Sequence, residues 1–254
     1  MTRIAQHFQQ RRQRCSLVPY LTVDEAALTT ERLLALAEAG AGLIELGLPF
    51  SDPVADGPAL QQVHAAAVQR GIGLPQLLQA VQDFRRHDTH TPLLLMSYSN
   101  PLYRYGYSQS AAALATAGVD AVLLVDADDQ PYAWLHTLAS QQLGHVGMLA
   151  PGSSTARRQW VYSQASALVY AVAQRGITGQ GLKSLQHTHA YLAGLRSECP
   201  HPLITGFGLA EGEQLQQLAD VVDGIVVGSA LLPALQQGSD ALYHATRALA
   251  AHLD

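Results

Sequence analysis

A chain of 254 residues, 48% hydrophobic and 14% charged, has enough apolar mass for one large α/β domain or two small ones. Its net charge of −5 excludes nucleic acid as the main partner, because a phosphate backbone is met by a basic face. No apolar run approaches the roughly 20 residues that span a bilayer, Met1 to Arg14 lacks the apolar segment of a signal peptide, and Cys15 and Cys199 share no motif spacing. These readings lead us to expect a soluble, reduced, cytoplasmic protein.

The Gln-rich start (Gln6, Gln9, Gln10, Gln13) reads as a surface helix ahead of the first strand. Short apolar runs then alternate with longer helical segments. Strands are expected at 16–22, 42–47, 93–98, 121–126, 146–150, 167–173, 203–207 and 224–228. The stretch from Thr29 to Gly40 has helical spacing and a terminal glycine suited to a C-cap, and Ala117-Gly118 repeats that closure. Runs buried on both faces and joined by helices indicate a parallel sheet. Eight such units over this length predict a single (β/α)8 barrel covering residues 1–254, with a doubly wound open sheet as the competing arrangement.

The second run carries a carboxylate. Alternation places Leu43, Glu45 and Gly47 on one face and Ile44 and Leu46 on the other, so Glu45 is expected near the top of the barrel interior, where burial raises its proton affinity. Eleven residues later comes Asp56, in a loop stiffened by Pro49, Pro53 and Pro58. Two acids in different environments, one buried and one on a loop, can divide acid and base roles. The bland alternative is a structurally paired Glu45 and a simple turn at Asp56-Gly57-Pro58.

Later strand ends bear glycines: Thr178-Gly179, Gly206-Phe207-Gly208 and Gly228-Ser229. Glycines let backbone N–H groups approach an anion, and the loops after barrel strands seven and eight are a recurrent phosphate site. No expected strand contains a lysine for Schiff-base chemistry, and Lys183 is the only lysine of the chain. The eleven histidines are scattered, so no metal-ligand cluster is read. The remaining chemistry is acid–base work by carboxylates on a phosphorylated small molecule, without cofactor. Tyr170, sharing a face with Leu168 and Val172, could orient a reacting group or be a core tyrosine.

The run Glu45-Leu46-Gly47-Leu48-Pro49-Phe50-Ser51-Asp52-Pro53-Val54-Ala55-Asp56-Gly57-Pro58 resembles the signature of the tryptophan synthase alpha subunit family. Val18-Pro19-Tyr20, Met96-Ser97-Tyr98-Ser99-Asn100-Pro101, Gly176-Ile177-Thr178-Gly179, Gly206-Phe207-Gly208 and Gly228-Ser229 match in order and spacing. The resemblance implies a (β/α)8 barrel that cleaves indole-3-glycerol phosphate to indole and glyceraldehyde 3-phosphate. It implies Glu45 as the acid–base residue at indole C3, Asp56 as the partner of the indole N–H, and Tyr170 beside them. Gly179, Gly208, Gly228 and Ser229 correspond to the phosphate cradle, and Tyr20, Tyr98, Thr178 and Phe207 to the indole pocket and its loop. It also implies a pyridoxal-phosphate beta subunit as partner in an αββα assembly.

The chain departs from the family pattern in three loops. Arg175 replaces a small hydroxyl residue after strand six, Asp126 alone survives of a Pro-Asp-Leu-Pro run after strand four, and a Gly-Asp-Pro turn after strand one is shortened around Thr22-Val23-Asp24-Glu25. Two further readings therefore stand beside the alpha subunit. One is a stand-alone lyase that supplies indole to specialised metabolism; the other is a weakly catalytic subunit that mainly activates a beta partner.

Overall fold

Eight aliphatic runs close into a parallel barrel in sequence order, β1 through β8, with β1 pairing back onto β8. The computed structural model describes residues 1–126, 132–173, 184–206 and 212–253. The strands are β1 (Ser16–Thr22), β2 (Ile44–Gly47), β3 (Leu93–Ser97), β4 (Ala121–Leu124), β5 (Gly144–Leu149), β6 (Leu168–Val172), β7 (Leu203–Gly206) and β8 (Gly224–Val227). Before the fourth of them lie helices α1 (Arg3–Gln10), α2 (Ala26–Glu38), α3 (Pro58–Gln69), α4 (Leu74–Arg85), α5 (Ser99–Tyr105) and α6 (Tyr107–Ala117). Then follow α7 (Tyr132–Ser140), α8 (Thr155–Gln164), α9 (Leu185–Glu198), α10 (Gly212–Leu218), α11 (Leu232–Gln237) and α12 (Ser239–Ala250).

All eight expected strands are present, and β1 has the expected limits. Most others are shorter because their ends leave the ladder: Tyr98 and Asp126 lie beyond β3 and β4, while β5 begins earlier than expected and takes in His145. α2 and α6 stop just before Gly40 and Gly118, whose φ angles of +97° and +104° suit glycine and close both helices. Outward side chains such as Ile44, Leu46, Leu95, Val122, Val169 and Ile225 form one apolar layer beneath the helices. Inward ones, including Val18, Leu43, Leu94, Leu168, Ile204 and Val226, fill the barrel itself. The competing open sheet is thereby excluded.

The N-terminal helix is a floor rather than an ornament. Thr2 caps it through its hydroxyl, and Ile4 is buried among the inward-facing strand residues at the bottom of the barrel. His7 Nε2 lies 2.8 Å from Ser16 Oγ at the start of β1. Two carboxylates then tie the floor down. Asp120, just before β4, accepts from Leu93 N at 2.8 Å and pairs with Arg3 at 2.9 Å and Arg85 at 3.0 Å. Asp223, just before β8, does the same with Leu203 N at 2.8 Å, Arg11 at 2.5 Å and Arg196 at 2.5 Å. In each case one arginine comes from α1 or its C-cap and the other from a barrel helix.

A buried carboxylate satisfied this way leaves several groups stranded when removed. Asp223→Ala is expected to lower unfolding free energy by about 3 kcal/mol, read from urea unfolding. Asp220→Ala, which removes an exposed partner of Arg14, is expected to change it by less than about 0.5 kcal/mol. Equal effects would refute the floor as a stability element.

Candidate active site

Glu45 sits near the C-terminal end of β2, directly between Tyr20 of β1 and Leu94 of β3 in register. Its neighbours Ile44 and Leu46 belong to the outer layer while Leu43 and Tyr20 belong to the inner one, so its side chain faces the barrel interior. It is 2% exposed, and its Oε1 has no hydrogen-bond partner among the described residues. Burial, and secondarily the charge of Asp56, push its carboxyl up to about 8. At neutral pH Glu45 is therefore a neutral acid.

Asp56 departs from the expectation of a loop acid in a separate environment. It is 1% exposed, as buried as Glu45. The turn closed by Asp56 N on Pro53 O at 3.0 Å folds it inward, and Pro58 then starts α3. The Tyr98 hydroxyl donates to Asp56 Oδ2 at 2.8 Å and accepts from Ala55 N at 3.0 Å. Phe50 stacks on the Tyr98 ring with centroids 5.1 Å apart. Burial pushes the Asp56 carboxyl up to about 6, against the opposing pull of the Tyr98 hydrogen bond. Asp56 is thus largely ionised at neutral pH. The two acids differ in charge because of their partners, although both are buried.

Two tyrosines complete the mouth. Tyr170 lies between Met148 of β5 and Ile204 of β7 and faces inward with Leu168. Its hydroxyl occupies the space over Gly206, and the Tyr20 hydroxyl occupies the space over Gly47; a Cβ at either glycine would overlap that oxygen. Gly206 belongs to the glycine-bearing end of β7, and its hydrogen side chain is what admits Tyr170. Both phenols are held well above their ordinary value by burial, with Glu45 and Asp56 adding to the effect. Gly228 and Ser229 stand at the top of β8, where a 3₁₀ turn (Ser229–Leu231) begins. Thr178, Gly179, Phe207 and Gly208 lie outside the described residues.

The sequence reading missed His64. It lies on the buried stripe Leu60, His64 and Ala67 of α3, 1% exposed, with Nε2 at 3.0 Å from Tyr20 Oη. Its Nδ1 accepts from Phe50 N at 3.2 Å. The available signal was a histidine one turn after Leu60 on the apolar face of the helix that Pro58 starts. Burial pushes the imidazole down to about 4, so its 3.8 Å approach to Asp56 is not an ion pair at neutral pH. Among the described residues, no group of three or more His, Cys, Asp or Glu is placed to hold a metal ion. A buried neutral acid beside an ionised carboxylate can hand a proton to a weakly basic atom while stabilising the positive charge that results.

A sequence model of the family described as tryptophan synthase alpha chain matches residues 6–253. A tryptophan synthase alpha chain of Methylibium petroleiphilum is 39% identical over 241 residues, covering 93% of this chain and 89% of the relative. One from Dechloromonas aromatica is 38% identical, covering 89% and 85%. The crystal structure of tryptophan synthase subunit alpha from Legionella pneumophila superposes with a TM-score of 0.87 at 29% identity, covering 98% of each chain. A chain from the tryptophan synthase α2β2 complex of Pyrococcus furiosus superposes with a TM-score of 0.79 at 31% identity, covering 92% of this chain and 95% of that one.

The site's electrostatics are visible in stability. Folding raises the Glu45 carboxyl from 4.5 to about 8, so the native state holds a proton that the unfolded chain releases. That contribution is fully present below about pH 4.5 and is lost as pH rises towards 8, with Asp56 adding the same sign between 3.8 and about 6. By pH 7 the Glu45 part of this loss amounts to on the order of 3 kcal/mol. Glu45→Gln is expected to flatten the fall in unfolding free energy between pH 5 and 8. An unchanged slope would mean that Glu45 ionises freely.

Proposed function

The chain belongs to the tryptophan synthase alpha chain family, whose members are lyases of tryptophan biosynthesis, and we propose that it cleaves indole-3-glycerol phosphate without a cofactor. The observation that carries this reading is the split pair of buried acids, Glu45 neutral and Asp56 largely ionised at neutral pH, in one barrel mouth.

In the proposed reaction the neutral Glu45 gives its proton to C3 of the indole ring. The positive charge that develops at the ring N–H faces the Asp56 carboxylate, which Tyr98 holds from the other side. The Glu45 carboxylate then takes the proton of the hydroxyl on the carbon attached to C3. As that C=O forms, the bond to C3 breaks and its electron pair returns to the ring. Indole and glyceraldehyde 3-phosphate leave, and Glu45 is again protonated. Tyr170 orients the reacting groups. Tyr20 and Tyr98, with Phe207 and Thr178, line the indole pocket, while Gly228 and Ser229, with Gly179 and Gly208, cradle the phosphate. The barrel end itself is where such enzymes place their reactive residues.

The proposed partner is a tryptophan synthase beta subunit, by analogy with the α2β2 complex of the Pyrococcus furiosus relative. On this chain Val54, Tyr103 and Tyr105 are 70%, 67% and 45% exposed, on the segments that follow β2 and β3 around the mouth. Large exposed apolar side chains beside a site suit a docked protein. No helix of the described residues is long and apolar enough to cross a membrane, and the proposed place of action is the cytoplasm. The stand-alone and weakly catalytic readings are not favoured, the latter because both acids are present and buried.

Three measurements test this. Indole release from indole-3-glycerol phosphate is expected to be slow for the isolated chain and to rise on adding a beta subunit; fast unaided turnover would instead support the stand-alone lyase. Glu45→Gln is expected to lower kcat by at least about a thousandfold while retaining affinity for a glycerol phosphate ligand, and near-normal turnover in it would remove Glu45 from its role. The pH profile of kcat/KM should be bell-shaped, since Asp56 must be ionised and Glu45 protonated, with limbs near the values of about 6 and about 8 of that pair. A profile flat from pH 5 to 9 contradicts the assignment.

A further inference from the structure

We propose that His64 is a positioning residue of this site, a neutral imidazole that holds the Tyr20 hydroxyl so that its hydrogen is presented to an oxygen of the bound substrate. The inference deepens the reading above and rests on it. His64 is fixed from the side away from the site: the backbone N–H of Phe50 donates to Nδ1 at 3.2 Å. That nitrogen must be bare, so the single proton of the neutral ring is on Nε2. Among the described residues two acceptors face Nε2, Tyr20 Oη at 3.0 Å and Asp56 Oδ2 at 3.8 Å. Only the first is within hydrogen-bond distance, so His64 donates to Tyr20.

Tyr20 Oη also accepts from Thr22 Oγ1 at 3.2 Å. A phenol oxygen has two acceptor positions and one hydrogen, and His64 and Thr22 occupy both acceptor positions. The hydrogen of Tyr20 is thereby directed away from α3 and from Thr22. Tyr20 is an inward-facing residue in register with Glu45, so the remaining direction is the barrel mouth between the two acids. Tyr20 thus acts as a directed donor as well as an apolar wall. An oxygen is the acceptor it fits, and the hydroxyl of the substrate that becomes a carbonyl is the one lying nearest the proton exchange at Glu45. The same arrangement keeps Asp56 without a cationic neighbour on this side: a second proton on His64 would have to displace the Phe50 N–H.

A double-mutant cycle measures the coupling. His64→Leu and Tyr20→Phe are each expected to lower kcat for indole release roughly tenfold with KM changed less than about twofold, the size of one lost hydrogen bond. The double variant is expected to be no slower than Tyr20→Phe alone. Losses that multiply, or a Tyr20→Phe protein with unchanged kcat, overturn the proposal. His64→Gln, whose amide can still donate, is expected to keep more activity than His64→Leu; equal loss counts against it. The ¹⁵N–¹H spectrum of the ¹⁵N-histidine-labelled, unmodified protein gives a readout independent of turnover and of variant folding. At neutral pH the His64 ring should be neutral with its proton on Nε2, and a cationic or Nδ1-protonated ring overturns the proposal. If the protein releases no indole under any condition, the lyase reading fails, while the spectrum still decides the state of His64.

Discussion

Two carboxylates buried within one barrel mouth, with no described cation beside either, are the constraint around which the upper half of this molecule is organised. An isolated charge in such a place is expensive, so the pair cannot remain doubly ionised at little cost. The burden is divided unequally. Asp56 has the Tyr98 hydroxyl as a donor and keeps most of its charge at neutral pH, whereas Glu45 has an oxygen with no described partner and holds its proton. Burial raises both carboxyls, the charge of Asp56 adds to the rise at Glu45, and the Tyr98 hydrogen bond opposes it at Asp56; together these make an acid and an anion from two similar side chains.

The opposite end of the barrel solves the same problem in the opposite way. Asp120 and Asp223 are also buried carboxylates, yet each has two arginines and a backbone N–H of the preceding strand. They stand just before β4 and β8, on opposite sides of the ring, and α1 with its C-cap reaches both through Arg3 and Arg11. Breaking a buried pair of this sort is strongly destabilising, because it strands an uncompensated charge. At the floor Asp120 and Asp223 thus have partners for their charge, whereas the mouth retains Glu45 Oε1 without one among the described residues.

What the sequence made legible follows the range of the forces involved. The inward face of β2 could be read because alternation is a local rule, and Ile44 and Leu46, both in the outer layer, obey it on either side of Glu45 while Leu43 faces inward. The ladder stops at Ser97 and Leu124 although apolar side chains run on to Tyr98 and Val125; Asp126 beyond them accepts from Ser99 N and Oγ at the start of α5, both at 2.8 Å. The burial of Asp56 was not legible, since it depends on Tyr98, far along the chain on the next strand's exit. His64 was missed for the same reason. Its partners come from β1 and from the turn after β2, and no spacing within α3 announces them.

Glycine had two possible readings at the strand ends, and the structure separates them. A glycine there can open the backbone to an anion or leave room for a neighbour's side chain, and sequence does not distinguish these uses. At Gly47 and Gly206 the second is met directly, since Tyr20 and Tyr170 fill the space a Cβ would take. Parallel register makes this possible: Tyr20 is level with Glu45, two residues before Gly47, so a long ring leaning along the strand direction reaches the glycine of the next strand. Tyr170 is level with Ile204, again two residues before Gly206. Both hydroxyls consequently rise to the height of the mouth rather than remaining in the apolar layer below it. The tyrosine and the glycine two residues beyond its register partner form one device. It carries polar groups upward from inward-facing strand positions, which places two phenols around the acid pair without any loop having to position them.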